Sequence, residues 1–248
     1  MTLGWEVAAR SDVGRVRRRN EDSFVTEAER GVFLVADGMG GHRAGDVASA
    51  LAAGAAHEVL TRAADEGARG EAIDEALQLA FDVAQERIAR ASAADARTQG
   101  MGTTLTACVL EPDGSGFHLG HVGDSRAYLW SGGVLRQLTH DHTWVQAQVA
   151  AGRLSPALAR THDYAHVLTR VLIGNAREVP DLVHGPLVPG DLLLLATDGL
   201  TGMLDDDALA ELLAQPLPLD EIADELIARA NAAGGVDNAT AVVIRIRS

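Results

Sequence analysis

The run Leu192-Leu193-Leu194-Leu195-Ala196 has no polar face. A strand turns alternate side chains to opposite sides, so this one needs cover above and below. Val32-Phe33-Leu34-Val35-Ala36 makes the same demand. Both runs end in Asp-Gly, as Asp37-Gly38 and Asp198-Gly199. Each reads as a buried strand carrying a carboxylate at its tip, followed by a residue that lets the backbone turn and approach a neighbour closely. Asp237 precedes a further apolar run, Ala241-Val242-Val243-Ile244, and Asp124 follows Gly120-His121-Val122-Gly123. Carboxylates held at strand ends without nearby Lys are expensive, and a hard divalent cation is the usual reason to tolerate them.

The rest of the chain supplies the cover. Residues 4–10 alternate weakly as a strand, and 23–28 with 31–36 read as a hairpin turning near Arg30-Gly31. From Gly45 a helical period places Val47, Leu51, Ala55 and Val59 on one face, with Ala48 and Ala52 beside them. A second helix from about Glu71 carries Ile73, Leu77, Phe81, Ala84 and Ile88 in register. Strands return at 103–110 and 115–122 around Pro112-Asp113-Gly114, and at 125–130 and 134–138 around Ser131-Gly132-Gly133. Residues 139–179 change character, rich in His and Arg with short helical pieces such as 143–151, and read as an insertion between sheet segments. Residues 191–197 form the most apolar strand, 206–214 and 219–231 are helical, and 239–246 is a strand. Consecutive hairpins imply antiparallel pairing. Two packed antiparallel sheets with helices outside is the simplest layered solution, an α+β fold.

Composition narrows the function. The 248 residues are 47% hydrophobic and 23% charged, ample for a core, and the net charge of -14 opposes both nucleic acid and an anionic membrane surface. A phosphorylated substrate would meet the same repulsion and would need local positive charge from a metal or arginine. The single cysteine, Cys108, sits in a strand-like run and reads as a small buried apolar residue rather than a nucleophile. Neither a signal pattern nor a membrane-length apolar run is present, so the expected location is the cytoplasm.

Seven short motifs stand in order: Arg17-Arg18-Arg19-Asn20-Glu21-Asp22, Ala36-Asp37-Gly38-Met39-Gly40-Gly41-His42, Gly102-Thr103-Thr104, Val122-Gly123-Asp124-Ser125-Arg126, Leu168-Thr169-Arg170, Thr197-Asp198-Gly199-Leu200 and Asp237-Asn238-Ala239-Thr240. Any one alone is weak, since a bare Asp-Gly is mostly a turn; seven in order make chance agreement poor. This series resembles the metal-dependent protein serine/threonine phosphatases of the protein phosphatase 2C family, in its bacterial form, from about residue 6 to residue 246. The resemblance implies one catalytic domain over residues 1–248. Its architecture would be a four-layer αββα sandwich, two central antiparallel sheets flanked by helices, with a flap at about 139–179.

The resemblance also implies two Mn²⁺ or Mg²⁺ ions at the core and a possible third. Asp37 would bridge two ions and the Gly38 carbonyl would ligate one of them. Asp198 and Asp237 would hold the other, and Glu21 would act through a bound water. Asp124 with Asp198 would form the third site, and Arg17 would bind the substrate phosphate, with Asp37, Asp198 and Arg17 carrying catalysis. The partners implied are phosphorylated proteins and serine/threonine protein kinases; with no evident oligomerisation segment, the chain is expected to be a monomer. The chemistry is consistent: no Cys or Ser is set up as a nucleophile, and two cations roughly 3.5–4 Å apart can deprotonate a bridging water. A guanidinium holds two phosphoryl oxygens in one plane, which Lys does less well.

Each residue has a plainer reading. Asp37 and Asp198 could cap turns, Glu21 and Asp22 could edge a hairpin, and Asp124 and Asp237 could enter strands. Arg15, Arg18 and Arg19 read as a solvated basic edge. Asp46 reads as a favourable charge near a helix N-terminus. Met39 stands where some relatives carry a histidine proposed as general acid, which leaves the proton donor unassigned. His42 is more simply a packing residue of its loop. His140, His142 and His162 fall in the insertion with a surface position as the default, and His162 would reach phosphate only on flap closure. Two other classes compete. A non-catalytic scaffold predicts lost ligands, yet Asp37, Asp198 and Asp237 are all present. A two-metal nuclease is opposed by the net charge and the lack of a basic groove.

Overall fold

The computed structural model describes residues 3–39, 44–174 and 176–248. Along the chain the elements are β1 (Gly4–Asp12), β2 (Asp22–Glu27), β3 (Val32–Met39), α1 (Gly45–Asp65), α2 (Glu71–Ala94), β4 (Gly102–Thr103), β5 (Leu105–Leu110), β6 (Gly116–Val122), β7 (Arg126–Ser131) and β8 (Val134–Gln137). Then come α3 (Trp144–Ala150), α4 (Pro156–Ala159), β9 (Asp181–Pro186), β10 (Leu192–Ala196), α5 (Asp198–Thr201), α6 (Asp206–Leu213), α7 (Leu219–Ala232) and β11 (Ala239–Arg247). One sheet has the order β1-β11-β10-β7-β8; the other runs β2-β3-β5-β6-β9, with β4 paired to β3. All pairings among the described strands are antiparallel.

The apolar runs set the layers through their period of two. On β10, Leu193 and Leu195 face the other sheet, where they meet Phe33 and Val35 of β3, Cys108 of β5 and Leu119 of β6. Leu192 and Leu194 face outward and are covered by Leu209 and Leu212 of α6 and by Ile222 and Leu226 of α7. On β3, Val32, Leu34 and Ala36 face α1 and α2 instead. The result is helix pair, sheet, sheet, helix pair, as the doubly covered strands require. Cys108 is fully buried, and burial pushes its thiol well above the ordinary range, as expected of a packing residue.

Two details differ from the sequence reading. The fully buried face of α1 is Ala48, Ala52, Ala55 and Ala56 with Ser49, while Val47, Leu51 and Val59 are only partly buried beside it. Close approach of a helix to a sheet selects small side chains, so bulk was the wrong guide to the inner face. Strand β9 falls just after the stretch taken as an insertion and was not anticipated. It is an edge strand, partly exposed and ending in Gly185-Pro186, so it lacks the pattern of a buried strand.

Candidate active site

The sandwich brings the carboxylates to one end. Asp22 opens β2, and the hairpin register pairs it directly with Asp37 near the end of β3. Asp124 lies in the turn between β6 and β7, Asp198 opens α5 at the tip of β10, and Asp237 stands two residues before β11. All seven residues anticipated from the sequence, Arg17, Glu21, Asp37, Gly38, Asp124, Asp198 and Asp237, line one cleft of about 350 Å³. Met39 lines it as well; Gly40, Gly41 and His42 lie outside the described residues.

The backbone around Asp37 is held by the Gly102-Thr103-Thr104 segment. Asp37 N donates to Thr104 Oγ1 at 2.9 Å, Thr104 N donates to Asp37 O at 2.9 Å, and Thr103 Oγ1 donates to the same oxygen at 2.8 Å. Thr104 Oγ1 is also 2.7 Å from Ser125 Oγ, which links the Asp37 strand to the Asp124 turn. Asn238 performs the corresponding task for the loop that bears Arg17. Its Oδ1 accepts from Glu21 N at 2.8 Å, and its Nδ2 donates to Val13 O and Arg19 O at 2.9 and 2.8 Å.

Three glycines permit the close approaches. A Cβ on Gly45 would collide with Glu21 Oε2 and lie 2.7 Å from the Gly38 carbonyl oxygen. A Cβ on Gly38 would collide with the Gly45 carbonyl, and one on Gly199 with the Asn238 carbonyl. The Gly of each Asp-Gly pair is therefore needed because backbone meets backbone there.

Charge in the cleft is lopsided. Asp37 is pushed well above the ordinary carboxylate range by burial and by the neighbouring Asp198, Asp22 and Asp124. Burial, then Asp198, raises Asp124 to about 7. Burial raises Asp22 to about 7 as well, against the hydrogen bonds it receives. Glu21 is raised by burial and by Asp46. For Asp198, burial pushes upward, but the neighbouring His166 imidazole and Asp37 outweigh it and hold the carboxyl low. The cationic groups at the cleft are Arg17, paired with Asp237 at 2.6 Å, and His166, 3.7 Å from Asp198. Asp22 Oδ1 and Asp198 Oδ1 are buried with no hydrogen-bond partner. Orphaned carboxylate oxygens in a carboxylate-rich setting fit hard divalent cations. Among the described residues, no three of these carboxylates bring oxygens within 4.8 Å of one another.

Asp22 proves more than a hairpin edge. Thr197 Oγ1, just past the end of β10, and Thr240 Oγ1 of β11 donate to its Oδ2 at 2.8 and 2.6 Å. It thereby bolts the sheets together at the cleft. The hairpin turn at residues 28–31 fixes its register against Asp37, and that was the signal in the sequence that could have singled it out.

One histidine, His142, departs from its expected surface position. His162 does not face the cleft; it packs against Trp144 and Tyr164, with ring centroids at 5.2 and 5.5 Å. His166, four residues on, is the histidine of this segment that lines the cleft. His140 is exposed as expected, but His142 is not a surface residue. Its Nδ1 accepts from Gly123 N at 3.0 Å, its own N donates to Gly123 O at 2.8 Å, and its Nε2 is 3.1 Å from Asp181 Oδ2. It clamps the peptide before Asp124. Asp46 lies in the first turn of α1, and Arg15, Arg18 and Arg19 are exposed, as read from the sequence.

Residues 15–238 match the family model described as protein phosphatase 2C. The serine/threonine phosphatase stp of Listeria monocytogenes serotype 4b is 37% identical over 241 residues, covering 95% of this chain and 93% of its own. The serine/threonine protein phosphatase PstP of Mycobacterium tuberculosis is 40% identical over 243 residues, spanning 98% of this chain and 45% of that longer protein. Among solved structures, the catalytic domain of PstP in complex with two manganese ions superposes with a TM-score of 0.89 at 38% identity, covering 100% of both chains. The extent of these matches and the convergence of the motif residues on one cleft lead to one conclusion: the chain belongs to the protein phosphatase 2C family.

Proposed function

We propose that the protein hydrolyses phosphoserine and phosphothreonine in proteins with the aid of Mn²⁺ or Mg²⁺, opposing serine/threonine protein kinases. The single observation that carries this reading is the cleft itself, which five carboxylates line, with buried Asp22 electrostatically coupled to them and the Asp22 and Asp198 Oδ1 atoms left unpartnered. The manganese held by the related PstP structure supports the choice of metal. Asp37, Asp198, Asp237 and the Gly38 carbonyl are the proposed ligands of two ions. Glu21 acts through a bound water, and Asp124 with Asp198 offers a third position. Bound divalent ions would lower the pKa of water enough to supply the attacking hydroxide at neutral pH.

The protein's own groups do the rest. Arg17 stands at the cleft on a half-exposed side chain, and its pair with Asp237 is the weak kind that an incoming phosphate can displace. Its planar fork then fixes two phosphoryl oxygens. Thr103 and Thr104 hold Asp37 in place, and Asp22 keeps the two halves of the ligand set in register. Residues 139–179 act as a flap within one catalytic domain, and the chain works as a cytoplasmic monomer.

The test is phosphate release from a phosphothreonine peptide across a metal series, beside free phosphoserine and a phosphotyrosine peptide. Expected are dependence on Mn²⁺ or Mg²⁺, preference for phosphothreonine over phosphotyrosine, abolition by Asp37→Asn, and a raised KM with Arg17→Ala. Near wild-type turnover by Asp37→Asn in metal-replete buffer would remove that residue from the centre.

A further inference from the structure

At the opposite end of the six-stranded sheet, His118 of β6 and His184 of β9 are directly paired across the two strands. Cross-strand partners project to the same side of a sheet. Here that is the side covered by α2, whose first turn contributes Asp74. His118 Nδ1 lies 2.7 Å from Asp74 Oδ1, and His184 Nδ1 lies 4.0 Å from Asp74 Oδ2. The two rings are tilted, with centroids 5.7 Å apart. Among the described residues this is the one set of three potential ligands whose donor atoms all lie within 4.8 Å of one another. His118 is six residues from Asp124 along extended chain, about 20 Å at the rise of a strand, so the cluster is separate from the acidic cleft.

We infer that Asp74, His118 and His184 form a second metal site, for a transition ion of zinc's class rather than for Mg²⁺. Two imidazoles and one carboxylate make a familiar three-ligand zinc set, with water completing the tetrahedron. The ligand-to-ligand edge of such a tetrahedron is about 3.3 Å for bonds near 2.0 Å, and one donor atom from each of the three residues lies within 4.8 Å of the other two, within reach of that edge on small side-chain movements. The surroundings also match. His118 Nε2 lies 3.1 Å from Glu111 Oε1, so a proton on Nε2 leaves the Nδ1 lone pair facing Asp74 and His184. Glu111 is itself fixed, accepting from Gly70 N at 2.9 Å. A carboxylate that orients a ligating histidine through its far nitrogen is the usual outer partner of such a metal. Nitrogen donors favour Zn²⁺, Co²⁺ or Ni²⁺, while the carboxylate-rich cleft suits Mg²⁺ and Mn²⁺, so the two sites differ in donor type. An ion here would tie the edge strand β9 to β6 and to the start of α2.

The test uses the full chain in saturating Mg²⁺, titrated with Zn²⁺ against a chromophoric chelator, and with Co²⁺ to read its visible spectrum. One Zn²⁺ per chain is expected, with a tetrahedral Co²⁺ spectrum and a Zn²⁺-dependent rise in Tm. His184→Ala removes an exposed side chain and should leave the fold intact by circular dichroism while abolishing all three signals. Glu111→Gln should weaken Zn²⁺ binding by roughly 10–100-fold, and Asp37→Asn should leave it unchanged. Unaltered Zn²⁺ binding by His184→Ala, or its loss in Asp37→Asn, would overturn the site. So would the absence of any Zn²⁺ binding.

Discussion

Asp22 and Asp124 keep their protons to about 7 in the metal-free protein, against roughly 3.9 for an unfolded chain. Asp37 is raised in the same sense, and Asp198 opposes them with a lowered value. Between those limits the folded state binds more protons than the unfolded one, so stability from the raised groups is present at low pH and is lost as pH climbs. The Tm of chelator-treated protein should therefore fall between about pH 5 and about pH 8, and the slope should flatten in Asp22→Asn. Added Mn²⁺ should restore most at the upper end, since it binds the ionised carboxylates of the native state only. Thermal melts with and without chelator across pH measure both effects. A Tm that rises over this window without metal would mean that these side chains ionise freely in the folded protein.

Single elements carry a different kind of dependence. Ala usually stabilises a helix by about 1 kcal/mol relative to Gly. Gly45→Ala at the start of α1 should do the reverse, because its Cβ meets the Gly38 carbonyl and Glu21. Lower Tm together with weaker Mn²⁺ binding is the expected signature, read by melting and by metal titration. Asn238→Ala should cost about 2–4 kcal/mol, the loss of three side-chain hydrogen bonds at roughly 1 kcal/mol each. Because those bonds hold the loop before β2, its KM for phosphopeptide should rise more than its kcat falls. Urea melts and steady-state kinetics on the same preparation separate the two effects. Neither role was legible beforehand: Gly45 reads as an ordinary helix start and Asn238 as a turn residue, because the atoms they meet are distant in sequence.

Across the whole molecule, the space between the sheets is the mechanical basis of the cleft. The six-stranded sheet supplies Asp22 and Asp37, and the loop ends of the other sheet supply Asp198 and Asp237. Leu193 is fully buried between the sheets. Leu193→Ala should destabilise the protein by about 2–5 kcal/mol. It should also weaken divalent metal binding, although it touches none of the cleft residues. A urea midpoint shift without any change in metal affinity would show that the cleft does not depend on how tightly the sheets pack. No helix among the described residues is long and apolar enough to cross a membrane.

The layered architecture was written into the chain, since runs such as 192–196 and 32–36 are apolar at both odd and even positions and each strand must bury two faces. The acidic tips were legible for the same reason: a polar residue ending such a run has to emerge at the sheet's end. What only the tertiary structure decided is which tips meet, and with what around them. Asp22 as the bolt between sheets, His142 as the clamp on Gly123, His166 rather than His162 at the cleft, and β9 beside His118 all follow from contacts between segments far apart in the chain. Local patterning determines which face of an element is apolar, but it holds no information about which distant donor completes a buried carboxylate.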